Sequence, residues 1–367
     1  MRHVYVHVPF CRRRCVYCDF SIAVRQRVPA ERFVGAVLTE CDTRIESEGW
    51  DGGPIETLYL GGGTPSLLPS EQLAMLIAEL VERGGGAGPA ELTLEANPDD
   101  VTPERARSWA AAGVSRVSLG VQSFDQRVLD WMHRTHLAAA SAAAVGALRA
   151  AGIGSVSLDL IFALPAALQP DLRAELQAAL ALEPDHLAVY GLTVERRTAL
   201  ARWVSRGAAV PTGEGRYAEE FLLAHDVLAG AGFEHYEVSN YSRPGHRSRH
   251  NGIYWVGRRY LGLGPSAHSF RDGERRWNVE PYAAWERAVS ERGEAVAGAE
   301  RLTAEQRDLE GLYLGLRTVD GVARDAVPPR LVPVLEAARR QGWVVERGDR
   351  LGLTPQGWLK LDSMVTA

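Results

Sequence analysis

The apolar residues of this 367-residue chain follow two patterns that alternate along its first half. Short continuous runs rich in Val, Ile and Leu occupy residues 3–8, 55–60, 91–96, 114–121, 156–162 and 186–194. Between them, residues 30–47, 70–83, 103–112, 137–151 and 170–182 space their apolar positions three and four apart. The continuous runs predict strands buried on both faces, and the spaced runs predict helices with one apolar side. Local punctuation agrees. Thr102-Pro103-Glu104 offers an N-cap with proline at the first helical position, and Gly113 and Gly152 close helices before the next strand.

Strands separated by single helices imply parallel pairing through right-handed crossovers, which leaves a doubly wound sheet or a β/α barrel. The polar residues decide between them. The loop holding Cys11, Cys15 and Cys18 follows the first strand, Gly61-Gly62-Gly63-Thr64-Pro65 follows the second, and Glu95-Ala96-Asn97-Pro98 ends the third. Gln122 ends the fourth, Asp159 lies in the fifth, and Tyr190 to Thr193 finish the sixth. These groups collect around one rim, at strand C-terminal ends, where barrels carry their active sites.

Six units cannot close an eight-stranded barrel. The expectation is therefore an α/β chain whose residues 1–200 form a partial, open (β/α)6 barrel. Residues 201–300 should cover the open side with a helix at 214–231, a polar segment at 233–260 and a glycine-rich turn at 261–270. Residues 301–367 read as two helices, a short hairpin around Arg347-Gly348-Asp349 and a final helix after Thr354-Pro355, a small α+β unit of winged-helix character.

Cys11, Cys15 and Cys18 are spaced C-x3-C-x2-C, with no fourth cysteine close by. Each iron of an iron–sulfur cube wants a thiolate, so three ligands in one loop leave one iron open to a small chelating molecule. Arg12, Arg13 and Arg14 should favour thiolate over thiol. The alternative is a zinc site completed by His7 or Cys41, but the second two-ligand clip usual in zinc sites is missing. Gly61 to Gly63 would let backbone approach a ligand without Cβ atoms in the way. Glu95 and Asp159 can accept from hydroxyl or ammonium groups, Gln122 can donate or accept, and Arg134 can pair with a carboxylate. Each of these also has an ordinary structural reading as a rim residue paired with its neighbour.

Composition narrows the class. Apolar residues make up 46% and charged residues 24%, close to the globular average. The net charge of −5 gives no overall attraction to nucleic acid, and residues 301–367, with ten basic and nine acidic side chains, make a poor DNA reader. No apolar run suits a membrane span, and the alanine-rich stretch 138–151 is interrupted by Ser141, Gly146 and Arg149. Three arginines stand where a secretory signal needs apolar residues, and the clustered cysteines point to a reducing compartment, so the expected location is cytoplasmic. Lys360 is the sole lysine among 41 basic residues, a composition bias that weakens arguments from arginine identity alone.

The cysteine triplet, joined to the glycine-rich turn one strand later, resembles the radical S-adenosylmethionine (SAM) superfamily along most of the chain. That resemblance implies a [4Fe-4S] cluster held by Cys11, Cys15 and Cys18, whose open iron binds SAM, and an electron donor for the cluster. It also implies SAM contacts from Tyr5, Gly62, Gly63, Thr64, Glu95, Gln122, Arg134 and Asp159. Within the superfamily the chain resembles the coproporphyrinogen III oxidase-like group, including its small HemN-type C-terminal domain. Phe20 stands where the oxidases have a further cysteine, and Cys11 lies almost at the chain start, so the likeness leans to the haem-chaperone (HemW) branch. The sequence also departs from the oxidases at Thr193 and His268, the latter expected near the ligand cavity.

His250-Asn251-Gly252-Ile253-Tyr254-Trp255 matches the H-N-x-x-Y-W motif associated with haem binding in that branch. An imidazole can ligate haem iron, Tyr254 and Trp255 offer flat surfaces for a porphyrin, and the basic run from Arg243 to Arg259 can pair with propionates. The plainer reading is a solvated loop with a satisfied histidine and two packed aromatics. The implied activity is that of a haem chaperone serving acceptor haemoproteins such as respiratory enzymes, without a membrane anchor or nucleic-acid partner and with a homodimer left open. The rival is a radical SAM enzyme acting on a tetrapyrrole, by decarboxylation or by methyl transfer or cyclopropanation. Gly262-Leu263-Gly264-Pro265-Ser266-Ala267 matches G-x-G-x-x-A, but it opens no βαβ unit and holds a proline in the turn, which excludes a dinucleotide site.

Overall fold

The computed structural model describes residues 2–50 and 53–366. Strand β1 (His3–Val8) is followed by the two-residue strands β2 (Phe10–Cys11) and β3 (Ala23–Val24) and by α1 (Ala30–Glu48). Next come β4 (Thr57–Gly62), α2 (Ser70–Arg83), β5 (Glu91–Ala96), α3 (Pro103–Ala111) and β6 (Arg116–Gln122). Then α4 (Gln126–Trp131), α5 (Ala140–Ala150), β7 (Ser155–Phe162), α6 (Leu172–Leu180) and β8 (His186–Gly191) complete the repeat. The strands β1, β4, β5, β6, β7 and β8 pair in that order, all parallel. Their long apolar runs are buried on both faces, as crossover helices require. The six expected strands and five expected helices are present, and α3 starts from the Thr102 cap, whose hydroxyl accepts from Arg105 N.

The sheet continues beyond six strands. After α7 (Ala199–Ser205) and α8 (Glu214–Gly230) come β9 (Glu234–Glu237), β10 (Asn240–Ser242), α9 (Arg249–Trp255) and β11 (Leu261–Leu263). β10 pairs antiparallel with β8 and with β9, and β11 pairs parallel with β1, making nine strands in one sheet. These covering strands were not legible as strands because each is three or four residues long and its partner is distant in sequence. The glycine-rich turn is in fact the edge strand β11. Gly264 holds φ +95°, and a Cβ there would lie 2.4 Å from the His7 carbonyl oxygen, so this glycine serves close strand approach.

A second, antiparallel sheet of β12 (His268–Arg271), β13 (Glu274–Asn278) and β14 (Val296–Arg301) encloses α10 (Tyr282–Arg292) in sequence. The C-terminal part holds α11 (Ala304–Leu316), β15 (Val322–Ala323), α12 (Val332–Arg340), β16 (Val344–Arg347), β17 (Arg350–Leu353), α13 (Pro355–Trp358) and α14 (Leu361–Val365). Its strands pair in the order β15-β17-β16. One buried apolar cluster runs from Val4 in the barrel through Phe221 to Leu316 and Trp358, so the three sequence segments share a core. Among the described residues no helix is long and apolar enough to cross a membrane.

Candidate functional site

A cavity of about 360 Å3 opens at the C-terminal rim of the six parallel strands. Around it stand Cys11, Cys15 and Cys18 from the loop after β1, Gly62, Gly63 and Thr64 after β4, and Glu95, Gln122, Arg134 and Asp159. Ten of the eleven residues expected to meet SAM or the cluster are thus in one place because parallel strands deliver their C-terminal ends to one side. Tyr5 is the exception. It lies beneath the cavity, 6.0 Å from the Tyr59 ring, with its hydroxyl 3.2 Å from His7 Nδ1. Thr193 and His268 are exposed and line no part of the cavity, which corrects the expectation for His268.

The three cysteines are free thiols. Among the described residues no three His, Cys, Asp or Glu side chains converge as a single metal ion would need. The zinc alternative also loses its fourth ligand. His7 Nε2 lies 2.9 Å from the Ser21 carbonyl and its Nδ1 meets Tyr5, while Cys41 is buried in α1. Burial pushes the Cys11 thiol up to about 11 despite its contact with the Thr64 hydroxyl, and burial also raises Cys18. Of the adjacent arginines, Arg14 favours the Cys18 thiolate as expected, but burial outweighs it. Arg12 pairs with Asp100 at 2.8 Å, and Arg14 donates to the carbonyls of Cys18, Phe20 and Ile22.

The glycine turn lies on the cavity and has a packing role as well. A Cβ on Gly62 would meet the His7 ring at 2.5 Å, and one on Gly63 would meet Phe10 and Pro9 backbone at 2.8 Å. Protein atoms of the cysteine loop take up the space, which clamps that loop against β4. Gly62 N donates to Glu95 Oε2 at 3.0 Å and Tyr59 OH to Glu95 Oε1 at 2.8 Å, while burial raises the Glu95 carboxyl. Asp159 accepts from Ser118 at 2.9 Å and is pushed up to about 7, first by burial and then by Glu95.

Arg134 donates to Gly120 O at 2.9 Å and reaches Cys15 Sγ at 3.5 Å, with its Nε left without a partner. Arg116, 3% exposed at the cavity floor, has two sealed nitrogens without a partner. Buried guanidinium groups normally complete their hydrogen bonds, so both are vacant donors for an anionic group. Neither Arg116 nor Tyr59 stood out in the sequence, where each is an ordinary strand residue. The cavity thus sets donors and acceptors within one shell, a set that matches a ligand carrying carboxylate, ammonium and hydroxyl groups.

The H-N-x-x-Y-W segment forms α9, which plugs the opposite, N-terminal end of the strands. Buried Glu91, at the start of β5, accepts from the backbone of Arg249 at 2.8 Å and His250 at 2.9 Å, and Ser248 caps the helix. Asn251 reaches the floor of the cofactor cavity. His250 is 1% exposed, with Nδ1 2.8 Å from the Thr57 hydroxyl and Nε2 2.9 Å from the Tyr254 hydroxyl. In this arrangement it has no nitrogen left for haem iron, and burial holds it down to about 3. Tyr254 packs edge-on against Tyr260 at 4.7 Å, and Arg317 covers Trp255 at 4.9 Å. Both rings are thus half-buried against the protein, and Trp255 lines a groove of about 320 Å3 beside Tyr236 and Val322.

The model of the radical SAM superfamily matches residues 5–167. Over 365 residues the chain is 38% identical to the heme chaperone HemW of Mycobacterium tuberculosis, covering 99% of this chain and 93% of that protein. The heme chaperone HemW of Synechocystis sp. is 37% identical over 352 residues, 94% of this chain and 84% of the relative. The solved coproporphyrinogen III oxidase HemN of Escherichia coli, a radical SAM enzyme, superposes with a TM-score of 0.84 at 21% identity, over 99% and 89% of the two chains. At that identity the superposition establishes the fold. Whole-length sequence similarity reaches further, and by it the chain belongs to the radical SAM superfamily and, within it, to the HemW heme chaperone family.

Proposed function

We propose that this protein is a haem chaperone that binds haem and a SAM-chelating [4Fe-4S] cluster and passes haem to acceptor haemoproteins such as respiratory enzymes. The observation that carries the cofactor part is the single cavity that holds three free thiols, two glycines, two carboxyls and two under-bonded guanidinium groups. Cys11, Cys15 and Cys18 would hold the cluster, which when bound supplies an open iron and a single electron. Gly62, Gly63 and Thr64 would meet the methionine part of SAM. Glu95 and Asp159 would accept from its ammonium or ribose hydroxyls, Gln122 would serve either role, and Arg134 would hold the carboxylate. Tyr5 supports this shell from below through Tyr59. The haem part is supported by full-length similarity to heme chaperones.

One observation favours a second reading, a radical SAM enzyme acting on a tetrapyrrole. The cavity descends past Asp159 to Arg116, Asn240 and Asn251, leaving polar groups below the rim for another ligand. Anaerobic incubation with SAM, dithionite and either haem or coproporphyrinogen separates the two. Bound, unaltered haem without tetrapyrrole product is expected. Decarboxylated porphyrinogen appearing with 5′-deoxyadenosine would replace the chaperone reading by the enzyme. In the same preparations, iron should fall from about four per chain to below one when Cys11, Cys15 or Cys18 is changed to Ala.

A further inference from the structure

The basic run around α9 divides into spent and unspent groups. Arg243 donates to Pro184 O and lies over the Phe233 ring, Arg247 binds Glu234 and Asp320, and Arg259 pairs with Asp272. Among the described residues the guanidinium groups of Arg249 and Arg258 have no ion-pair partner. Both line one groove of about 440 Å3 on the outer side of α9, with Gly252, Ile253 and Val256 as its apolar wall. Val256 is 68% exposed although apolar.

His3, the first residue of β1, also lines this groove. Its Nδ1 is 3.0 Å from the Thr57 hydroxyl, and that same hydroxyl is 2.8 Å from His250 Nδ1. One hydroxyl hydrogen serves one of the two rings, so the other ring must donate to Thr57. When His250 Nε2–H donates to Tyr254, its Nδ1 accepts from Thr57, and Thr57 accepts from His3 Nδ1–H. His3 Nε2 is then a lone pair beside the groove, and its polar neighbour there is the Glu56 carboxylate, which lies 3.7 Å away, pairs with Arg2 and also lines the groove. Burial holds His3 below the usual histidine range, the neutral form that ligates iron. No other His, Cys or Met among the described residues lines the groove, so a haem here would keep its second axial position open.

We propose that this groove is the haem site: His3 Nε2 ligates the iron, Arg249 and Arg258 pair with the propionates, and Thr57, His250 and Tyr254 are positioning residues that set the His3 tautomer. The proposal rests on the haem-chaperone reading above and assigns the motif's histidine a supporting role, as hydrogen-bonded neighbours of metal-bound imidazoles have elsewhere.

Ferric haem titrated into the full, cluster-loaded chain under anaerobic conditions tests it, read by Soret and visible absorption and by electron paramagnetic resonance. The wild type should bind one haem per chain with a histidine-ligated spectrum. His3→Ala should lose that signature and regain it on addition of imidazole, and His3→Met should replace it by a different one. Arg249→Glu with Arg258→Glu should weaken binding tenfold or more while keeping the histidine signature at saturation. His250→Gln and Tyr254→Phe should shift the bands without removing them. An unchanged spectrum in His3→Ala, or loss of the signature in His250→Gln but not in His3→Ala, overturns the site and leaves the chaperone reading standing. Absence of haem binding by the wild type removes that reading and this site together. Cluster iron content and circular dichroism report folding, and His3→Gln, which keeps a donor for Thr57, decides the question should His3→Ala fail to fold.

Discussion

Asp159 and Glu95 face one cavity, where burial raises both carboxyls and Glu95 raises Asp159 further, so Asp159 holds its proton up to about 7. A cationic ligand such as SAM binds the ionised form better, so its binding must expel a proton below that pH. SAM affinity should therefore rise with pH by up to about tenfold per unit below 7 and level off above it. Calorimetric titration at pH 6 and pH 8 checks this, and Asp159→Asn should abolish the difference. The same raised carboxyl works against the ligand-free fold. Its stabilising proton is retained from the unfolded value of about 4 up to about 7, so stability falls as pH rises through that window. Asp159→Asn should flatten this decline in denaturant unfolding. At this scale the cysteines, glycines and rim carboxyls were legible because local spacing announces them, whereas Tyr59 and Arg116 matter only through neighbours brought close by folding.

The element that departs most from its sequence reading is α9. Seven residues long, it is too short to be stable alone, and its position comes from what holds its ends. Glu91 supplies two short backbone hydrogen bonds from a buried position, so Glu91→Ala should cost about 2–4 kcal/mol in urea unfolding, since it leaves buried N–H groups without acceptors. β11 depends on one glycine in the same way. Gly264→Ala should cost about 1–3 kcal/mol from backbone conformation alone, and more from overlap with His7, read by the same measurement. Neither dependence follows from periodicity: α9 was placed in a polar segment and β11 in a turn, because three to seven residues carry too little pattern to distinguish an element from a loop.

At the scale of the whole molecule, the C-terminal helices and hairpin are joined to the barrel by more than the chain. Trp358 is buried, is held within the C-terminal part by donating to Leu316 O at 2.9 Å, and crosses to the barrel sheet by meeting His235 of β9 edge-on at 4.5 Å. Trp358→Ala should cost about 3–5 kcal/mol, and calorimetry should show the single unfolding transition divide in two as the C-terminal part loosens from the barrel core. Residue 301, where a boundary was expected, is the last residue of β14 in the antiparallel sheet. It does not mark a gap in the core, since apolar contact across that boundary is continuous.

By itself the sequence determined the parallel strand and helix repeat, the rim on which its unusual polar residues collect, and the thiol triplet. Each is written in spacing over a few residues, where backbone geometry translates directly into which side a residue faces. Tertiary structure alone decided how the nine strands end, where the H-N-x-x-Y-W helix sits and which of its groups remain free. Those outcomes depend on pairings such as Thr57 with both His3 and His250, separated by 54 and 193 residues. A hydrogen bond consumes a nitrogen wherever its partner comes from, and only the folded chain reveals the partner.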